Sequence, residues 1–160
     1  MKLYYYFIVS VFIVILDLLT KRLAETYLSD KVLEVIPGFF NLVLVWNNGA
    51  AFGILADTPE TIRRLILVGS STIAAIITTV YVLKKHNTLS MLEIIALSLI
   101  AGGAIGNLYD RLFLGSVRDF LDFYISTYHW PAFNIADASI SVGIVLFLFI
   151  ELFYKNKGKV

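Results

Sequence analysis

The sequence contains no cysteine, and only two of its 160 residues are histidine. Without cysteine, the chain can form no disulfide bond and can offer no thiolate to a substrate or a metal ion. No His-Glu-x-x-His motif occurs, and His86 and His129 fall on opposite sides of the membrane in the topology that the apolar runs predict. We therefore expect neither a metal ion nor any other cofactor.

Charged residues are also scarce, at 16% of the sequence, and the formal net charge is only +1. No long basic run is present to neutralise phosphates, so nucleic acid is not expected as a partner. The sequence lacks a Gly-x-Ser-x-Gly motif, and a nucleophilic Ser139 or Ser141 would depend on His129 as its base without further support. Aspartic acids remain as the groups that could carry chemistry.

Apolar residues are abundant instead, at 59% of the chain. A water-soluble domain of this length could not bury so many, so much of the surface must face lipid. A helix needs roughly 20 residues to cross the apolar core of a bilayer. Charge-free runs, extended into neighbouring polar residues, predict spans at about 3–22, 63–83, 90–110 and 135–154. The first run could instead be a cleaved signal peptide, although its Tyr4 to Tyr6 start is typical of a membrane interface.

Two segments between the predicted spans differ from the helices. Residues 24–60 include the β-branched and aromatic run FFNLVLVW at 39–46, which predicts a strand or hairpin on the outer surface. Residues 112–132 form a second outer segment, which we expect to be irregular and aromatic. The whole chain, residues 1–160, is predicted to be one mainly α membrane domain with a four-helix bundle. A Gly-x-x-x-Gly spacing at 102–106 indicates close packing of the third span against another helix.

Four spans place both termini on the same side of the membrane. The totals of lysine and arginine on the two sides do not decide which side this is. The short connection that contains Lys84 and Lys85 and the tail at 155–159 are purely basic, whereas the opposite segments mix both signs. Basic connections favour the cytoplasmic side, so both termini are predicted to be cytoplasmic.

Three predicted helices carry polar residues at helical spacing near their outer ends: Asp17 with Lys21, Asn107 with Arg111, and Asn134 with Asp137. Ionisable groups within a membrane span cost at least about 2.5 kcal/mol and normally mark a functional site. Structural roles are alternatives for each pair. Asn134 could be the N-cap of the fourth helix with Asp137 in its first turn, and the other two pairs could clamp helix ends together. The convergence at one level favours a site.

Paired carboxylates are suited to the addition of water to an amide. Two aspartates brought within a few Å cannot both ionise cheaply, so near neutral pH one holds a proton and the other is charged. The charged acid can take a proton from water while the neutral acid donates a hydrogen bond to the carbonyl oxygen. The pair titrates as a unit, so the sequence does not assign the proton to either residue.

Five segments resemble, in order and spacing, the motifs of the lipoprotein signal peptidase family, also called signal peptidase II: 17–21 (DLLTK), 47–52 (NNGAAF), 103–111 (GAIGNLYDR), 117–120 (VRDF) and 131–137 (PAFNIAD). The resemblance implies a bacterial inner-membrane aspartic endopeptidase with four transmembrane helices and a small extracytoplasmic β-rich cradle. Its substrates would be lipid-modified prolipoproteins, cut before the diacylglyceryl cysteine at the surface of the membrane lipid. The antibiotics globomycin and myxovirescin would occupy its site.

The resemblance also assigns residue roles. It implies that Asp119 and Asp137 are the catalytic pair. It gives the shaping of the site and the holding of substrate to Asp17, Lys21, Asn47, Asn107, Arg111 and Asn134. Arg118 departs from the family's pattern, which often has an apolar residue there, and its charge would lower the pKa of Asp119. Asp122 is a competing carboxylate, because it would share a face with Asp119 if this segment were helical.

Two other classes of function remain open to the sequence. A proton-coupled membrane carrier would also place Asp17 and Asp137 inside the membrane. Such carriers bind near the midplane with broken helices, and these spans show no central glycine or proline break of that kind. A non-catalytic membrane adaptor would use the glycines and the helix caps for packing, but would leave the second acid without a task.

Overall fold

The computed structural model describes residues 1–49 and 58–154. Its helices are α1 (Lys2–Leu28), α2 (Glu60–Lys85), α3 (Met91–Phe113) and α4 (Ile135–Phe149), and a π-helical turn, Ile150–Tyr154, continues α4. All four helices are long and apolar enough to cross a membrane, which confirms the predicted bundle. Residues 50–52 of the NNGAAF motif and the basic tail at 155–159 lie outside the described residues.

Glycines let α3 approach α1 and α4 closely. A Cβ at Gly102 would lie 2.8 Å from the carbonyl oxygen of Ser10 on α1. A Cβ at Gly103 would collide with the carbonyl oxygen of Ala136 on α4. The close packing predicted from the glycine spacing is therefore confirmed, and it brings three helices together near the start of α4.

The start of α3 and the chain's N-terminus lie at the same end of the bundle. Ser90 caps α3, because its Oγ accepts a hydrogen bond from the Glu93 amide while Glu93 accepts one from the Ser90 amide. The Lys2 ammonium donates to the carbonyl oxygen of Leu89 at 2.6 Å. This contact ties the first residues of α1 to the connection between α2 and α3.

A four-stranded antiparallel sheet covers the other end, in the order β1 (Leu33–Ile36), β2 (Phe40–Asn47), β3 (Val117–Ile125), β4 (Tyr128–His129). The strand predicted at 39–46 is confirmed as β2. A turn at Pro37 and Gly38 joins it to β1, and Gly38 has a φ of +77°, which glycine adopts without a steric penalty.

The sequence prediction was wrong about two segments outside the spans. Residues 112–132 are not irregular, because β3 and β4 occupy most of this stretch. The β-rich segment does not begin at residue 24, because α1 continues to Leu28. Charged residues within β3 interrupt the apolar alternation by which a strand is recognised, and this hid β3 from the sequence pattern.

Strand β2 contains a bulge opposite β3. Leu42 pairs with Leu121, and Val45 pairs with Asp119, so β2 uses one more residue than β3 between these two positions. The bulge changes which side chains of β2 face each side of the sheet.

Strand β3 contacts both the end of α1 and the segment just before α4. Phe120 packs with Ala24 and Leu28 at the end of α1. The backbone of Leu121 pairs with that of Phe133, just before α4 begins. As a result, β3 is held between the end of α1 and the start of α4.

Candidate active site

Asp119 lies in β3 with its side chain almost wholly buried, at 1% exposure. Both of its carboxylate oxygens accept hydrogen bonds from amide side chains. Asn47, at the end of β2, donates to Oδ2 at 2.8 Å, and Asn134 donates to Oδ1 at 2.7 Å. Donors from two different elements therefore fix the orientation of this carboxylate.

Asp137 occupies the first turn of α4, where the backbone amides and the helix dipole favour a negative charge. Asn134 is the N-cap: its Oδ1 accepts from the Asp137 amide at 2.9 Å, and Asp137 Oδ2 accepts from the Asn134 amide at 3.3 Å. Asn107 on α3 donates to Asp137 Oδ1 at 2.7 Å. The predicted capping role is confirmed for both residues, and it also positions the carboxylate.

Asp119 and Asp137 line a single cavity of about 490 Å³. Its lining is mainly apolar and includes a few polar side chains. The residues around it come from β2, β3, α3 and α4 and from the connection that precedes α4: Asn47, Gly49, Arg111, Val117, Asp119, Trp130, Pro131, Ala132, Phe133, Asp137, Ala138, Ile140, Ser141 and Val142. The fold thus brings together two acids that are far apart in the chain.

The electrostatic surroundings raise the pKa of Asp119 from 3.8 to about 7. Burial is the largest cause, because it disfavours the charged form, and the negative charge of Asp137 acts in the same direction. The hydrogen bonds from Asn47 and Asn134 lower the pKa and so limit the rise, as does the positive charge of Lys21. An acid with this pKa can hold a proton near neutral pH.

Asp17 and Lys21 form a buried ion pair on α1, with 2.7 Å between Asp17 Oδ2 and Lys21 Nζ and no exposure of either side chain. Asp17 Oδ1 accepts from the Ala136 amide at 2.9 Å, and Lys21 donates to Asn107 Oδ1 at 2.9 Å. A Cβ at Gly106 would lie 2.5 Å from Asp17 Oδ2, so glycine is needed there. This pair joins α1 to α3 and α4 beneath the cavity.

Arg111 also lines the cavity, but it contacts a different helix from its predicted companion Asn107. Its guanidinium donates to Ser71 Oγ on α2 at 2.6 Å. The Nε of Arg111 is buried and has no hydrogen-bond partner among the described residues. The two residues therefore join α3 to separate neighbours: Asn107 connects it to α1 and α4, and Arg111 connects it to α2.

The expected influence of Arg118 on Asp119 was wrong. Alternation along β3 points the two side chains to opposite faces. Arg118 pairs with Asp110 at 2.7 Å and with Glu25 at 3.0 Å. The pKa of Asp119 is raised rather than lowered, because burial and Asp137 dominate.

Asp122 also lies on the face of β3 opposite Asp119, because the segment is a strand and the residues are three apart. Asp119 and Asp122 would share a face only if this segment were a helix, so they do not share one. Asp122 Oδ2 accepts from Asn41 at 3.2 Å, and Asp122 Oδ1 lies 2.8 Å from His129 Nδ1.

Sequence reasoning missed two participants. Asp110 is fully buried, pairs with Arg118 and lies 3.6 Å from Lys21. Its position three residues after Asn107 on one helical face was a usable signal. Ser71, which accepts from Arg111, gave no such signal. A serine in an apolar helix usually donates to a carbonyl oxygen of its own helix, and Ser71 does so to Leu67.

Comparisons with known proteins identify the family of the chain. A family model described as "Signal peptidase (SPase) II" matches residues 9–153. The chain is 65% identical to the lipoprotein signal peptidase of Sulfurihydrogenibium sp. (strain YO3AOP1), over 93% of this chain and 91% of that protein. It is 47% identical to the lipoprotein signal peptidase of Aquifex aeolicus (strain VF5), over 94% of this chain and 87% of that protein.

Two solved structures, both titled as bacterial membrane enzymes, share the fold. One has a TM-score of 0.80 at 35% identity and covers 97% of this chain and 91% of its own. The other has a TM-score of 0.79 at 33% identity and covers 92% of each chain. These matches confirm the resemblance that the five sequence motifs indicated.

Proposed function

The chain belongs to the signal peptidase II family, and we propose that Asp119 and Asp137 are the two acids with which it hydrolyses the peptide bond that releases the signal peptide of a prolipoprotein. The enzyme is an aspartic-type signal peptidase, and its family does not support the carrier alternative. The observation that carries the proposed assignment is that two carboxylates from different elements line one cavity at the end of a membrane bundle.

The surroundings of the two acids suit different roles. Asp119, with its pKa near 7, holds the shared proton and donates a hydrogen bond to the scissile carbonyl oxygen. Asp137, which accepts hydrogen bonds from Asn107 and from a backbone amide at the positive end of α4, stays charged and takes a proton from the attacking water. That proton then passes to the leaving amine as the tetrahedral intermediate collapses.

The remaining predicted site residues act by holding this arrangement. Asn47 and Asn134 orient Asp119, and Asn107 orients Asp137. The buried Asp17 and Lys21 pair anchors Asn107 and the first turn of α4 from below. Because these donors are already in place, they lose little free energy through reorganisation as charge develops in the transition state. Arg111, which lines the same cavity, contributes positive charge to the site.

The shape of the cavity fits a substrate that is anchored in lipid. Ser141 and Val142 line the cavity and also line an apolar groove that continues along α4 to Phe149. Val142 and Val145 are more than half exposed on the face that would meet lipid. A chain with a diacylglyceryl cysteine could therefore keep its apolar part in the bilayer while the bond before the cysteine reaches the acids.

We place the enzyme in the bacterial inner membrane with both termini in the cytoplasm and the active site near the outer face. The basic Lys84 and Lys85 lie in the last turn of α2, at the end of the bundle where Lys2 contacts Leu89. Basic residues favour the cytoplasmic side, and the sheet and the cavity lie at the other end. Globomycin and myxovirescin are expected to inhibit by occupying this cavity.

Cleavage by the purified protein tests the proposal. A diacylglyceryl prolipoprotein should be cut to a product that begins at the lipidated cysteine, as mass spectrometry can show, and globomycin should stop the reaction. The unlipidated precursor is the matched control and should be cut much more slowly. A metal chelator should leave the rate unchanged. Solute or proton flux through proteoliposomes without any cleavage would contradict the proposal and favour a carrier.

A further inference from the structure

A second pocket lies beside the cavity, between the start of α2 and the end of α3. It has a volume of about 190 Å³, and its charged lining residues among those described are Glu60, Arg63, Arg64 and Arg111. We call it the arginine pocket, because three of these described lining residues are arginines and only one is acidic. A concentration of guanidinium groups at the end of a membrane helix points to an anionic ligand.

The guanidinium groups of this pocket have few partners among residues 1–49 and 58–154. Among the described residues Arg63 makes no ion pair, and Arg64 donates only to the carbonyl oxygen of Leu112 at 3.3 Å. Arg111 retains its buried Nε as a donor that no described residue accepts. The planar fork of arginine suits two oxygens of one phosphate group, so these donors fit a phosphate better than a single carbonyl.

The backbone adds to the positive potential of the pocket. α2 begins at Glu60 and runs for 26 residues, and its first turn borders the pocket. The amides of that turn point out of the N-terminus, where a long helix favours negative charge. The helix end and the side chains therefore attract the same kind of group.

An apolar groove adjoins the arginine pocket on its lipid side. The groove has a volume of about 290 Å³, shares Glu60, Arg64 and Val68 with the pocket and is completed by Thr61, Leu65 and Leu112. Leu65 is 69% exposed and lies on the membrane-facing surface of α2. A cationic pocket that opens onto such a groove matches an amphiphile with an anionic head and an acyl chain, whereas free phosphate would leave the groove unused.

We propose that the arginine pocket binds the phosphodiester head group of an anionic phospholipid, whose acyl chain lies in the adjoining groove. Arg111 lines both the arginine pocket and the catalytic cavity. A bound lipid would therefore lie next to the site of cleavage without entering it, and it would neutralise part of the positive charge at this side of the active site.

Lipid retention by the purified protein tests this site. Protein in nanodiscs that contain phosphatidylglycerol and phosphatidylcholine is released into detergent, and native mass spectrometry counts the lipids that remain bound. The wild type should retain phosphatidylglycerol in preference to phosphatidylcholine. Arg63→Gln/Arg64→Gln should bind it at least about tenfold more weakly, because two charges are lost at a membrane surface. Arg63→Lys/Arg64→Lys keeps the two charges but loses the planar fork of arginine. It should bind phosphatidylglycerol more weakly than the wild type and more tightly than the Arg63→Gln/Arg64→Gln protein.

Arg22→Gln is the matched control, because Arg22 is an exposed arginine on α1 whose partner is Glu25. It should retain phosphatidylglycerol like the wild type. Equal retention by the Arg63→Gln/Arg64→Gln protein would overturn the proposal, as would displacement of the lipid by inorganic phosphate at matched concentration. A different result would assign the pocket to the substrate instead: the Arg63→Gln/Arg64→Gln protein would have a raised KM for precursors with acidic residues after the cysteine, and the wild type would show no preference for phosphatidylglycerol. Retention does not depend on cleavage, so its failure would leave the catalytic proposal intact.

Discussion

The two faces of β3 carry two aspartates only three residues apart in very different surroundings. On one face, Asp119 is buried at the cavity and accepts from the amides of Asn47 and Asn134. On the other face, Asp122 contacts Asn41 and His129, and the His129 side chain is half exposed, at 51%. Burial beside another carboxylate makes an acid reactive, whereas pairing with a histidine near solvent gives a local structural contact.

The largest expected difference between the two faces is in catalysis. Asp119→Asn and Asp137→Asn should each lower kcat/KM by at least about a thousandfold, because each removes one partner of the proton transfer. Asp122→Asn should stay within a few fold of the wild type. Cleavage assays on a diacylglyceryl precursor measure kcat/KM, and membrane insertion is checked for each variant. An active Asp119→Asn together with an inactive Asp122→Asn would reverse the assignment.

The next largest effect should be on stability and should arise from the face that carries Asp122. Arg118 also lies there and is paired with the fully buried Asp110. Arg118→Leu should destabilise the fold by about 3 kcal/mol or more, because it leaves a buried carboxylate without its main partner. Thermal unfolding in detergent measures this, with Arg22→Leu, an exposed charge change, as the control. Equal melting temperatures for the two variants would show that the buried pair contributes little.

The asparagines of β2 offer a matched pair, because Asn47 donates to Asp119 and Asn41 donates to Asp122. Asn47→Ala should lower kcat/KM by up to about tenfold, since Asp119 is protonated in the active form and a hydrogen bond between neutral groups is worth about 0.5–1.5 kcal/mol. Asn41→Ala should change it little.

The pH profile sharpens this test. Cleavage requires protonated Asp119, so activity should decline as pH rises through about 7. The Asn47 hydrogen bond lowers the pKa of Asp119 by stabilising its charged form. Its loss in Asn47→Ala should therefore raise the pKa and move the alkaline decline to higher pH. A shift of the decline to lower pH would contradict the role given to Asp119.

The smallest effect is expected at His129. His129→Ala removes the contact with Asp122 and the stacking on Tyr124, where the ring centroids are 4.9 Å apart. Because the histidine is half exposed, the fold should lose less than about 1 kcal/mol, and cleavage should be nearly unchanged. Thermal unfolding and the precursor assay together measure this. A loss of activity as large as that of Asp119→Asn would show that the two faces are coupled.

Most of the bundle could be predicted from the sequence, because helices in lipid need long apolar runs and polar groups within them are costly. The convergence of Asp17, Asn107 and Asp137 followed from counting residues along the spans. The pairing of strands did not, because it depends on contacts between distant segments. The separation of Asp119 from Asp122 was therefore undecided until β3 was known to be a strand, in which residues three apart point to opposite sides.

The pairing of Asp110 with Arg118 was also beyond the sequence. Asp110 and Arg118 are separated by a turn between α3 and β3, and their pairing depends on how that turn folds back. Arg118 was expected to influence its neighbour in sequence, but the strand directs its side chain away from Asp119. Sequence proximity was a poor guide here, because side chains of adjacent residues diverge in a strand.

The extra residue in β2 between Leu42 and Val45 explains how one strand serves both acids. Asn41 and Asn47 are six positions apart, an even number that would put both amides on the same side of a regular strand. The additional residue changes this parity, so that each asparagine meets a different aspartate. The bulge therefore constrains this stretch more tightly than its composition does. Apolar replacements at Val43 or Leu44 keep the parity, whereas regular pairing of all six positions would turn Asn47 away from Asp119.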